Sequence, residues 1–163
     1  MSTSDHPTAH PRFAEALEEL GLEVELREFP DAVRTAAQAA AAIGCDPGRI
    51  VKSLVFEVDG EPVVVLMDGS SQVDLTLVRE ELGASVVQRA NAATVREATG
   101  YAIGGVPPFG HRTRIRVLAD HGLLRHDVVW AAAGTPHTVF ALAPRTLIDH
   151  AGGELVDVSE AGV

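Results

Sequence analysis

Lys52 is the single lysine among thirteen basic residues, the other twelve being arginines. Positive charge on this chain is otherwise carried by guanidinium, so the one ammonium marks a position where a compact point charge was used instead. It lies in the run Ile50-Val51-Lys52-Ser53-Leu54-Val55-Phe56-Glu57-Val58. On a strand, Lys52 would share its face with Ile50, Leu54, Phe56 and Val58, which is an apolar face. An ammonium among apolar neighbours can serve a pocket as a fixed cation, or it can extend its head to water over a hydrophobic stem. Ser53 points to the opposite strand face and has no base beside it in sequence, which makes it a weak nucleophile candidate.

A second candidate is the loop Gly100-Tyr101-Ala102-Ile103-Gly104-Gly105-Val106-Pro107-Pro108-Phe109-Gly110. Adjacent Gly104 and Gly105 permit φ > 0 and close approach of a ligand to the main chain, so their amides could converge on a carbonyl oxygen or an anion. Pro107-Pro108 stiffens the segment that follows. The loop lacks the Gly-Lys-Ser/Thr ending of a phosphate-binding P-loop, and it is not a GxGxxG loop. A third candidate is Ala131-Ala132-Ala133-Gly134-Thr135-Pro136-His137-Thr138, a turn between two strands with His137 at its far end. Histidine is the common acid–base residue, and it is equally common as an exposed strand-edge side chain. The run His111-Arg112-Thr113-Arg114-Ile115-Arg116-Val117, read as a strand, places Arg112, Arg114 and Arg116 on one face at ~7 Å intervals. Such a stripe can track a phosphate backbone or simply solvate an edge strand.

These residues need a scaffold. Phe13, Ala16, Leu17 and Leu20 recur at helical spacing over 11–20, stopped by Gly21, and 22–27 alternates as a half-buried strand. Thr35 and Gln38 form a capping box for a helix ending near Gly44. The Lys52 strand turns at Asp59-Gly60 into an antiparallel partner over 62–67. Both of these strands are apolar on both faces, as expected at the centre of a sheet. Asp74 and Asn91 are N-caps of two further helices, ended by Gly83 and Gly100, with a short strand over 85–88 between them. Strands follow over 114–118, 128–133, 138–142 and 154–158, with a helical turn over 120–124 and a last helix opened by Pro144. The expectation is a single α+β domain, a mixed and mostly antiparallel sheet surrounded by helices, over 12–163, preceded by a flexible tail over 1–11.

Composition narrows the function classes. The net charge of −10 opposes broad, nonspecific attraction to nucleic acid, although it permits a local basic patch. The lone Cys45 has no intramolecular disulfide partner. The seven histidines form no HExxH and no paired Cys/His spacing, so no metal is expected. No run of ~18 uncharged apolar residues is present, and the N-terminus has no apolar signal region. The sequence therefore reads as cytoplasmic, without a membrane partner.

Three segments together resemble the YbaK/EbsC family, the freestanding relatives of the bacterial prolyl-tRNA synthetase editing insertion. They are Ile50 to Phe56, Gly104 to Gly110, and Ala133-Gly134 followed by Thr138 to Leu142, in the family's order. The resemblance covers about residues 20–158. It implies hydrolysis in trans of the ester joining a wrong amino acid to the terminal adenosine of a tRNA, with no cofactor and no covalent intermediate. Lys52 matches the family lysine; Gly104, Gly105, Pro107 and Gly110 match its loop; Gly134 matches the glycine of the second loop. His137 falls where some editing relatives carry histidine, and Val139 where the Cys-tRNA deacylases of the family carry an acidic residue. Implied partners are the aminoacylated acceptor end of a tRNA, reached through Arg112, Arg114 and Arg116, and an aminoacyl-tRNA synthetase. Small apolar residues and few aromatics near these segments point to a small amino acid such as Ala, Ser, Thr or Cys. The alternative is a binding module of the same fold that holds aminoacyl-adenosine or a synthetase without turnover.

Overall fold

The computed structural model describes residues 9–33 and 35–160. Residues 1–8 of the expected tail lie outside them. Ala9 is buried, the His10 amide donates to Ala133 O at 3.0 Å, and the exposed Pro11 opens the first helix. Helix α1 (Pro11–Leu20) buries Phe13 and Leu17 and ends at Gly21, whose φ of 67° closes it. Strand β1 (Glu25–Glu28) is shorter than the alternation suggested. Helix α2 (Ala36–Ile43) starts where Thr35 Oγ1 accepts from the Gln38 amide.

Strands β2 (Val51–Val58) and β3 (Glu61–Asp68) form the expected hairpin, with Lys52 opposite Met67. Asp59 and Gly60 both have positive φ, as a tight two-residue turn requires. Then come α3 (Leu75–Leu82), β4 (Val87–Arg89), α4 (Ala92–Thr99), β5 (Arg116–Asp120), a short 3₁₀ turn (His121–Arg125), β6 (Val129–Thr135), β7 (Thr138–Leu142), α5 (Pro144–Ala151) and β8 (Glu154–Val156). The helix caps at Asp74 and Asn91 are where the sequence puts them.

The strands form two sheets. One is antiparallel, in the order β1-β7-β6; the other has the order β4-β2-β3-β5-β8, with β5 parallel to both of its neighbours. The α+β class stands, with the strands divided between two sheets. The β2/β3 hairpin lies at the centre of the larger one, and Val64, Val65, Leu66 and Met67 are fully buried, which accounts for their unbroken apolar run. A parallel bridge from Ile50 to Trp130 joins the sheets at the N-terminal end of β2. Lys52 stands two residues beyond that junction.

Candidate active site

A cavity of about 530 Å³ opens beside the junction. Val33, Ala36, Ala37 and Ala39 contribute one wall, from α2 and the segment before it. Ile50, Trp130, Ala132 and Val139 contribute the sheet junction, and Ile103, Gly104 and Val106 bring in the glycine-rich loop. Lys52, Ser53 and Arg89 supply polar groups. Among the described residues, no carboxylate and no histidine lines it.

The Lys52 ammonium donates to the carbonyl oxygen of Ser71, at 2.5 Å. Burial lowers its pKa, the Asp68 carboxylate opposes that shift, and the Arg89 guanidinium adds to it. One of its three N–H donors is thereby committed and two are left for a ligand. The turn that presents Ser71 is built by Asp68, which is fully buried at the end of β3. Its carboxylate accepts from the Ser70 amide at 2.9 Å, the Ser70 hydroxyl at 2.7 Å, the Ser71 hydroxyl at 3.0 Å and Arg125 Nη2 at 3.0 Å. Burial alone would raise its pKa, but these donors hold it below the ordinary carboxylate value. Gly69 fits because a Cβ there would stand 2.3 Å from Pro47 O and 2.7 Å from Ala36 Cβ. Sequence reasoning passed over Asp68, Gly69 and Arg125. The Asp-Gly-Ser-Ser run that closes an apolar strand was the available signal.

Ser53 also gains importance. Its hydroxyl is buried at the cavity wall and makes no hydrogen bond among the described residues. Pointing away from Lys52 does not remove it from the site, because the cavity wraps around the end of β2.

The glycine-rich loop divides its labour. Gly104, at φ 92°, lines the cavity and is exposed. The Gly105 amide donates to Ala102 O at 2.9 Å, so the expected pair of converging amides reduces to Gly104. Gly105 instead allows contact with the second loop, since a Cβ would lie 3.0 Å from Gly134 O. Gly134, at φ 96°, admits His10 and Tyr101 over its Cα. Pro107 O accepts from His111 Nε2 at 2.7 Å, and Gly110 O accepts from the Tyr101 hydroxyl, also at 2.7 Å. Burial lowers the pKa of that His111 ring and pushes the Tyr101 phenol up to about 12. Pro107, Gly110 and Gly134 thus shape the loop behind the cavity and do not line it.

Two expectations are corrected by position. His137 is exposed, its Nδ1 lies 3.4 Å from Phe29 O, and it does not line the cavity. The arginine stripe does not form: β5 begins only at Arg116, because Pro62, the residue Ile115 would pair with, has no amide hydrogen. Arg116 is bound bidentately to Glu154, at 3.0 and 2.9 Å. Arg114 and Arg116 border a separate cleft of about 290 Å³ with Val58, Asp59 and Glu61. That cleft is at the far end of β2, roughly 20 Å along the strand from Lys52. Arg112 does not line the cavity either.

With this geometry in hand, comparisons with known proteins are consistent among themselves. The family model for the aminoacyl-tRNA editing domain matches residues 30–150. A solved structure, of a candidate trans-editing enzyme for prolyl tRNA synthetase, superposes with a TM-score of 0.87 at 37% identity, covering 94% of this chain and 100% of that one. The uncharacterized protein YwhH of Bacillus subtilis (strain 168) is 33% identical over 126 residues, 77% of this chain and 80% of its own length. Proline–tRNA ligase of Lysinibacillus sphaericus (strain C3-41) is 34% identical over 119 residues, 72% of this chain. The chain spans about a fifth (21%) of that ligase.

Proposed function

The chain belongs to the aminoacyl-tRNA editing domain family, and from that membership and the cavity we propose that it is a trans-acting aminoacyl-tRNA deacylase. Its reaction is hydrolysis of the ester between a small amino acid and the terminal ribose of a mischarged tRNA, tRNA-Pro first among them. The single observation that carries this reading is a half-buried ammonium, Lys52, with two free donors in a largely apolar cavity that Gly104 also lines.

The chemistry follows from the groups available. Water attacks the ester carbonyl carbon, negative charge develops on the carbonyl oxygen, and the bond to the ribose oxygen breaks as that oxygen takes a proton. The products are the free amino acid and the tRNA with its hydroxyl restored. The Gly104 amide and the Lys52 ammonium are the donors suited to the developing oxyanion; one such preorganised donor is worth about 3 kcal/mol. No carboxylate or histidine among the described lining residues is available as general base. Water is therefore oriented by backbone carbonyls, the Ser53 hydroxyl and the vicinal ribose hydroxyl, so that the substrate assists its own hydrolysis. The absence of a nucleophile-and-base pair in the lining supports direct attack by water over an acyl-enzyme. Ala36, Ala37, Ala39 and Ala132 give the cavity a wall of small side chains, which favours alanine, serine, threonine or cysteine as the amino acid removed.

The test is release of amino acid from a panel of mischarged tRNAs (Ala-, Ser- and Cys-tRNA-Pro, with Ser- and Thr-charged mismatches) by wild type and Lys52→Ala. Lysine-dependent release from one of them is expected. A folded protein that is silent on the whole panel, yet binds an aminoacyl-adenosine analogue, would instead be a binding module.

A further inference from the structure

In a protein of net charge −10, the cavity at the sheet junction is lined, among the described residues, by two cations and no carboxylate. Lys52 is one. The other is Arg89, the last residue of β4. Arg89 pairs across the ladder with Phe56, so its side chain leaves the sheet on the face of Phe56 and, by alternation, of Leu54 and Lys52. Its guanidinium lies 5.9 Å from the Phe56 ring centroid, a cation–π contact that steadies it without neutralising it. Among the described residues it has no carboxylate partner, whereas Arg27, Arg116 and Arg125 are each ion-paired. Its field is felt at Lys52, so the two charges share one site.

Asp68 compensates Lys52 from behind the cavity, but no lining carboxylate among the described residues faces both cations, so an anion that joins them is favoured there. We propose that Arg89 is the phosphate-binding residue of this cavity, taking the 5′-phosphate of the terminal nucleotide while Lys52 faces the ester carbonyl. The inference rests on the deacylase reading and adds to it the residue that recognises the nucleotide. Lys52 and Phe56 are roughly 13 Å apart along the strand, and both Lys52 and Arg89 line the one cavity, so a single aminoacyl-nucleotide could lie across the two. A planar guanidinium suits phosphate through paired N–H donors. Arg112, Arg114 and Arg116 are outside the cavity, and among the described residues Arg89 is the arginine that lines it.

The deciding experiment is calorimetric titration of a non-hydrolysable 3′-alanylamido-3′-deoxyadenosine, with and without a 5′-phosphate, into wild type, Arg89→Gln, Arg89→Lys and Arg89→Glu. In wild type the 5′-phosphate tightens binding about tenfold, the increment of one charge-assisted contact. Arg89→Gln erases that gain while binding the unphosphorylated compound as wild type does. Arg89→Lys keeps part of it, and Arg89→Glu makes the phosphorylated compound the weaker ligand. If Arg89→Gln retains the full phosphate gain, or weakens both compounds equally, the assignment of Arg89 is overturned. Failure of wild type to bind even the unphosphorylated compound overturns the deacylase reading itself, and the assignment with it.

Discussion

In the proposed deacylase, Lys52 is the residue on which the chemistry turns, and its surroundings fix how it should behave. Burial lowers its pKa, so its ammonium is lost at a lower pH than that of an ordinary lysine. Background-corrected kcat/KM should therefore fall on the alkaline side through the Lys52 pKa. Asp68 opposes the shift and Arg89 adds to it, so Asp68→Asn should move that limb to lower pH and Arg89→Gln to higher pH. Identical limbs in all three proteins would mean that Lys52 does not set the profile. Lys52→Ala should cost at least a hundredfold in kcat/KM with little change in Tm, since it removes an oxyanion donor and no core group. Ser53 offers a second test at this scale. A buried hydroxyl without a partner is destabilising by about 1–3 kcal/mol, so Ser53→Ala should leave Tm equal or higher. If the hydroxyl orients water or ribose, the same change lowers kcat/KM severalfold; an unchanged kcat/KM would assign it no part in the reaction.

The elements place these groups, and the turn after β3 shows how. Asp68 draws four donors onto one buried carboxylate and thereby fixes the carbonyl that anchors Lys52. Its lowered pKa makes it a stability device with a definite sign. The contribution is complete above the ordinary carboxylate pKa and is lost as pH falls through the lower, folded value. Asp68→Asn should accordingly flatten the acid limb of a Tm-against-pH curve relative to wild type, and an unaltered acid limb would contradict this role. Gly69→Ala should destabilise by about 2–4 kcal/mol in urea unfolding, because its Cβ would meet the backbone oxygen of Pro47. Much of this scale was legible in the sequence. Caps at Thr35, Asp74 and Asn91, the Asp59-Gly60 turn and the apolar β3 run are local signals, and each led to the right element. The division into two sheets was not legible, since it depends on which non-adjacent strands pair. Arg112, Arg114 and Arg116 were misread for the same reason: alternation holds only where a ladder exists, and the partner strand ends it at Pro62. Lys52 stood out by type alone. Arg89 did not, because nothing local distinguishes one of twelve arginines until the fold brings it to a cavity.

At the scale of the whole molecule, charge decides how a protein of net charge −10 can act on an RNA. Arg116 and Arg125 are held by Glu154 and Asp68, and Arg27 by Glu25, so three of the thirteen basic residues are committed to ion pairs within the fold. The cavity gathers Lys52 and Arg89, with no lining carboxylate among the described residues. Under the proposed function, a protein of this charge would engage one end of a tRNA and repel its body. Each phosphate neutralised on a single strand contributes a slope of about −0.7 to the logarithm of affinity against the logarithm of salt. One or two phosphates at the acceptor end then give a slope between about −0.7 and −1.4 in single-turnover affinity for mischarged tRNA, measured from low to moderate KCl. Arg89→Gln should reduce its magnitude by roughly 0.7, because it deletes one phosphate contact. A wild-type slope steeper than about −3 would require an extended basic footprint, and the acidic body of this protein would then have to be bridged by a partner such as a synthetase.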